Sequence, residues 1–194
     1  MPRKIIILTG SPRENGNTVT VANWIAESAR AAGAEVELVN AATLNYKVNG
    51  CIACMGCQQS DQFRCIIDDE AAPILLKLPD YDVVVFATPT YFMGFSAQLK
   101  LLIDRMYSLV KFDPETMTFR HPFQDTVFGL IAVAGGGGEA GIQLVVENMR
   151  FIARFLGKSF KKFLVPTAPL KLGEIITDTE LKDKSVAFGK ELAG

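Results

Sequence analysis

The only four cysteines in the 194 residues are Cys51, Cys54, Cys57 and Cys65, spaced C-x2-C-x2-C-x7-C. Thiolates gathered so closely repel one another unless a cationic centre lies between them, so the run predicts metal or cluster chemistry. A mononuclear zinc site is usually assembled from two separated ligand pairs that approach from opposite sides. Here three ligands follow one another at x2 spacing around a single tight loop, and the fourth returns shortly after. That pattern suits the corners of a cubane, and a 4Fe-4S cluster on Cys51, Cys54, Cys57 and Cys65 is the leading reading. Zinc, or reduced structural or redox thiols, are the alternatives. In the bacterial ferredoxin run C-x2-C-x2-C-x3-C-P the last cysteine serves a second cluster. In this chain the fourth cysteine comes later and no proline follows it.

A second chemistry is written into the loops. Gly10-Ser11-Pro12-Arg13-Glu14-Asn15-Gly16-Asn17-Thr18 has neither the Lys-Ser/Thr of a Walker loop nor the G-x-G-x-x-G of a dinucleotide fold. It carries hydroxyls, amides and one arginine just ahead of a helix. Such groups surround a phosphate monoester: backbone N–H groups and the helix dipole attract the dianion, Ser11 and Thr18 donate, and Arg13 adds charge. The alternative is a plain strand-to-helix turn capped by Asn17 or Thr18. Pro89-Thr90-Tyr91-Phe92-Met93-Gly94 adds two aromatics and a close-approach glycine. An isoalloxazine asks for that mixture, with hydrogen bonds at its pyrimidine side and packing at its dimethylbenzene side. Otherwise Tyr91 and Phe92 are core. Gly135-Gly136-Gly137-Gly138 would let backbone approach a flat ring, or form a flexible turn.

These loops need elements to hold them. Ile5 to Thr9, Asp82 to Ala87 and Val127 to Val133 are continuous apolar runs, as in parallel strands buried on both faces. Glu35 to Val39 alternates like an edge strand, and Phe160 to Val165 carries Lys161 and Lys162, which suit an edge. Helical stripes fall between them: Val21, Trp24, Ile25 and Ser28, closed by Gly33; Ile74, Leu75 and Leu78 behind Pro73; Leu99, Leu102, Ile103 and Met106; and Ile142, Val145, Val146, Met149 and Ile152, closed by Gly157. Thr177 and Glu180 read as a capping box for a last helix. Phe112 to Phe123 is expected to form a small hairpin or excursion. The fold expected is α/β, a flavodoxin-like doubly wound five-stranded parallel sheet in the order 2-1-3-4-5, with a cysteine loop at about 43–67 inserted after strand 2. Its switch point brings the 11–18 and 89–94 loops together, with 135–138 beside them.

Composition sets the outer bounds. One domain over 1–194 is the expectation from length, and 49% hydrophobic residues, a formal charge of -1 and a mean hydropathy of +0.22 describe an ordinary globular chain. No basic excess points to nucleic acid, and no stretch reaches the ~18 apolar residues of a membrane helix. Cysteines kept for a cofactor fit a cytoplasmic protein. His121, the sole histidine, reads as a loop residue, Asp68 and Asp69 as helix-terminal acids, and Asp104-Arg105 as a local ion pair or interface contact. No G-x-S-x-G elbow is present, and no catalytic side chain is assigned.

The loop at 10–18, the segment Cys65-Ile66-Ile67-Asp68-Asp69, the turn at 89–94 and the following Leu99 to Arg105 resemble the iron-sulfur flavoproteins, a branch of the NAD(P)H-dependent FMN reductases. The resemblance extends over nearly the whole chain. It implies FMN with its phosphate on Ser11, Arg13, Asn17 and Thr18, Asn15 being a further candidate in that loop. It places the ring near Pro89, Thr90, Tyr91, Phe92 and Gly94 and near Gly135, Gly136 and Gly137, and it places a 4Fe-4S cluster on the four cysteines. It further implies homodimers or homotetramers that bring cluster and flavin close across an interface. The donor or acceptor would be a small molecule or a small redox protein, with NAD(P)H a possible substrate. Two other functions stay open: a cluster-free NAD(P)H:FMN or quinone reductase with a structural cysteine loop, and a non-catalytic metal-loop module that binds a partner.

Overall fold

The computed structural model describes all 194 residues. In chain order the elements are β1 (Lys4–Thr9), α1 (Asn17–Ala31), β2 (Glu35–Asn40), α2 (Ala71–Lys77), β3 (Val83–Pro89), α3 (Ala97–Arg105), β4 (Lys111–Asp113), β5 (Thr118–Arg120), β6 (Val127–Val133), α4 (Gly138–Phe155), β7 (Phe160–Val165) and α5 (Thr179–Ala193). The main sheet is five-stranded and parallel throughout, ordered β2-β1-β3-β6-β7. Once the antiparallel β4–β5 hairpin is set aside, that is the expected 2-1-3-4-5 order.

Alternation along the strands divides the core into two layers. Ile6, Leu8, Val84, Phe86, Phe128 and Leu130 face α2, α3 and α4, whereas Ile5, Ile7, Val83, Val85, Ile131 and Val133 face α1 and α5. Both faces are therefore covered, and the continuous apolar runs follow from that. α1 and α5 approach so closely at Gly189 that a Cβ there would lie 2.4 Å from the carbonyl oxygen of Ile25. No helix is long and apolar enough to cross a membrane.

Two local expectations are corrected and one alternative is set aside. The last helix is capped by Asp178, whose Oδ1 accepts from the Leu181 N–H at 2.9 Å, while Thr177 turns its hydroxyl back to the Glu174 carbonyl. Asp104 and Arg105 do not pair with each other: Asp104 accepts from Lys100 one turn earlier, and Arg105 reaches Asp69. Neither Asn17 nor Thr18 caps α1. Its N-cap is Gly16, and no side chain closes that end.

Candidate functional site

β1, β3, β6 and β7 end at one edge of the sheet, and main-chain bonds carry the ladder past their ends into a cleft floor. Gly10 N–H donates to Ala87, Thr90 to Val133, Ala134 to Val165 and Ala168 to Ala134. The cleft above this floor has a volume of about 210 Å³. Ser11, Arg13, Asn17, Thr18, Pro89, Thr90, Tyr91 and Gly135 line it, as expected. Asn15, Phe92, Gly94, Gly136 and Gly137 do not.

For Phe92, Gly94 and Gly137 the absence has a local cause. Tyr91 and Gly94 exchange main-chain hydrogen bonds across a tight turn, at 3.1 and 3.0 Å, so Phe92 is thrown outward and is fully exposed rather than core. Phe92 and Met93 take left-handed conformations (φ 44° and 65°), and Gly94 needs no close approach because a Cβ there would meet nothing nearer than 3.8 Å. Gly137, with φ 83°, is spent on opening α4. Sequence reasoning missed the fourth wall, Ala168, Pro169, Leu170 and Leu172, which follows β7. Asn17 anchors that wall, donating from Nδ2 to the Pro169 carbonyl at 2.7 Å. The available signal was topological: the loop leaves the same edge of the sheet as the other three.

The cleft is built to accept an anion. α1 begins without a side-chain cap, so the N–H groups of its first turn point out unpaired. Ser11 and Thr18 are buried beside them, Arg13 adds positive charge, and no carboxylate lines the walls. Ser11 Oγ is held by its own turn, donating to the Arg13 carbonyl and accepting from the Arg13 N–H. Thr90 Oγ1 is buried and bonded to nothing. An unmet hydroxyl, an uncapped helix end and an absence of carboxylates together fit a phosphorylated flavin.

The four cysteines lie between β2 and α2. All of them line one small cavity of about 20 Å³, together with Ile52, Ile66, Arg105, Tyr107 and Ser108. Cys57 is buried, Cys65 is half-buried, and Cys51 and Cys54 are exposed. No group of three or more His, Cys, Asp or Glu side chains is arranged to hold a metal ion. The residues around Cys54 are strained, with Ala53 (φ 52°) and Met55 (φ 58°) both left-handed. Two cations fix the segment. Arg105 Nη1 donates to both carboxylate oxygens of Asp69, at 2.8 and 2.7 Å, and Nη2 to the Ile67 carbonyl at 3.1 Å. Burial alone would lower the pKa of Arg105, but Asp69 and then Cys65 outweigh it and raise it. Burial would likewise raise Asp69, yet Arg105 and the Lys47 N–H hold its carboxyl below the usual range. Lys111, buried and without a carboxylate partner, donates to the carbonyls of Cys57 and, at 2.7 Å, Ser60. Gln58 completes the stitching from the other side, donating to the Val110 carbonyl at 2.8 Å. The donor set, four thiols around one cavity with buried cations beside it, fits an anionic iron-sulfur cluster in kind. His121 lies apart from both sites between β5 and β6, where burial and then Lys158 depress its pKa.

A doubly wound sheet with an anion-accepting cleft at its switch point defines a flavodoxin-like protein. The chain belongs to the NADPH-dependent FMN reductase family, whose model matches residues 3–159, and within it to the iron-sulfur flavoprotein branch. It is thus a flavin-dependent oxidoreductase. It is 34% identical over 147 residues to an iron-sulfur flavoprotein of Methanocaldococcus jannaschii, covering 73% of this chain and 69% of that one. With the iron-sulfur flavoprotein of Methanosarcina thermophila it shares 36% over 102 residues, 53% of this chain and about half (51%) of the relative's length. Among solved structures, the FMN-dependent NADH-azoreductase of Bacillus anthracis in complex with FMN superposes with a TM-score of 0.71 at 14% identity, covering 99% of this chain and 100% of that one. The NAD(P)H:quinone oxidoreductase of Methanothermobacter marburgensis gives 0.71 at 16% identity, with the same coverage. At such identities these two likenesses speak for the fold alone.

Proposed function

We infer that the protein couples a 4Fe-4S cluster on Cys51, Cys54, Cys57 and Cys65 to FMN in the switch-point cleft, moving electrons between a small donor and a small acceptor. The observation that carries the reading is the pairing, in one chain, of an anion-accepting cleft with a cavity lined by every cysteine. When bound, FMN supplies hydride and one-electron chemistry and the cluster supplies one-electron chemistry. The chain's own part is to bind and orient. The first-turn N–H groups of α1, Thr18 and Arg13 take the phosphate, Thr90 gains an acceptor for its free hydroxyl, and Pro89, Tyr91 and Leu170 pack against the ring. At the second site Cys51, Cys54, Cys57 and Cys65 would hold the cluster, with Ile52, Met55 and Ile66, each about half exposed, forming the apolar surround.

An absorption spectrum of protein purified without oxygen, with iron, sulfide and zinc assayed on the same sample, tests this. The expected result is flavin bands over a broad shoulder that bleaches with dithionite, and about four iron and four sulfide per chain. Cys54→Ser should abolish the cluster and leave FMN binding intact. The lack of a ready-made metal arrangement favours a second reading, a cluster-free NAD(P)H:FMN or quinone reductase. Fast NADPH oxidation by iron-free protein supplied with FMN would establish that reading in place of the first.

A self-associating surface also belongs to the proposal. α4 presents Leu144, Phe151 and Phe155 to solvent, and the hairpin extends this face because Phe119 meets Phe155 edge to face with ring centres 4.9 Å apart. An apolar face of that kind fits a second copy of the chain.

A further inference from the structure

Two hydrogen-bond donors around the cysteine cavity have nothing to bond. The hydroxyl of Ser108, a residue 3% exposed, is buried without a partner. Arg105, 1% exposed, uses both terminal nitrogens on Asp69 and Ile67 and leaves Nε unmet. Both residues line the cavity that all four cysteines line. A buried donor left unpaired is destabilising. Two of them on one otherwise apolar wall therefore mark where an acceptor belongs. No carboxylate or amide side chain lines that cavity; its side-chain acceptors are the four cysteine sulfurs, of which Cys65 already interacts with the Arg105 guanidinium, and the hydroxyl of the part-exposed Tyr107.

Building on the cluster reading above, we propose that Ser108 Oγ and Arg105 Nε donate hydrogen bonds to the sulfur of the cysteine-held cluster and set its reduction potential as positioning residues. An added electron places more negative charge on the sulfurs. Donors aimed at them therefore stabilise the reduced state more than the oxidised one, and the potential rises.

Ser108 is the cleaner probe, because Arg105 also anchors Asp69. In iron-free protein Ser108→Ala deletes a hydroxyl that bonds nothing, so its denaturation midpoint should equal or exceed that of the wild type; a merely structural serine would lower it. With the cluster assembled, Ser108→Ala should disfavour reduction about tenfold, a fall of ~59 mV for a one-electron couple, at unchanged iron and sulfide content. Ser108→Thr should recover most of that loss. An unshifted potential in fully loaded Ser108→Ala overturns the proposal, as does a loss of stability in the iron-free variant. If Ser108→Ala fails to load, recovered loading in Ser108→Thr supports it and continued failure overturns it. Iron and sulfide in the wild type judge the cluster separately. Their absence removes both readings, while a loaded wild type with an unshifted variant removes only this one.

Discussion

Thr90 carries a buried hydroxyl with no partner at the edge of the cleft, and a group of that kind is tolerated where a ligand completes it. Thr90→Val should therefore leave the flavin-free protein as stable as the wild type while weakening FMN about tenfold, roughly 1.4 kcal/mol, in a fluorescence titration. Loss of stability in the flavin-free variant would mean that the hydroxyl has a structural partner instead. Asp69 is the opposite case, fully satisfied and paired with a buried guanidinium. Asp69→Asn leaves Arg105 charged and uncompensated and should cost ~3–5 kcal/mol in a denaturant titration. The difference from wild type should hold at neutral pH. It should narrow once the pH drops below the ~3.9 of an unfolded aspartate, and vanish below the lower value of the folded state, because protonation removes the same partner.

Among the elements, α3 reaches both sites. Its N-cap Ser96 donates to the Gly10 carbonyl at 2.7 Å beneath the cleft, and its last residue, Arg105, lines the cysteine cavity. Gly10 is fixed by this contact, since a Cβ would lie 2.4 Å from Leu99 Cβ and 2.5 Å from Ser96 Oγ. Gly10→Ala should thus push α3 off the sheet, costing ~1–3 kcal/mol in the thermal or denaturant midpoint and loosening FMN with it. The strands and helix faces were legible because each rests on a local period, the strands as apolar runs and the helices as stripes such as Leu99, Leu102, Ile103 and Met106, and the sheet order followed from the edge-like second and fifth strands. Much of the cleft was legible too, because the switch-point rule names the loops after β1 and β3. The wall at 168–172 and the Arg105–Asp69 pair were not, because both depend on residues distant in sequence meeting in space. Phe92 illustrates a further limit, since an aromatic in an apolar motif reads as core and only the turn geometry turns it outward.

At the scale of the whole molecule, the exposed aromatic face of α4 and the hairpin sets the expected assembly. Replacing Phe151 and Phe155 together by Lys should shift the protein toward monomers in analytical ultracentrifugation, with the flavin spectrum unchanged. Unaltered assembly would place the contact elsewhere. Within one chain, the cleft and the cysteine cavity share no lining residue and are joined by the nine residues of α3, a rod of about 13 Å. That rod acts as a ruler. Inserting one residue would lengthen it by about 1.5 Å and turn its far end by about 100°, so spacing and facing would change together. The length of α3 accordingly fixes both how far apart the two sites stand and how they face each other.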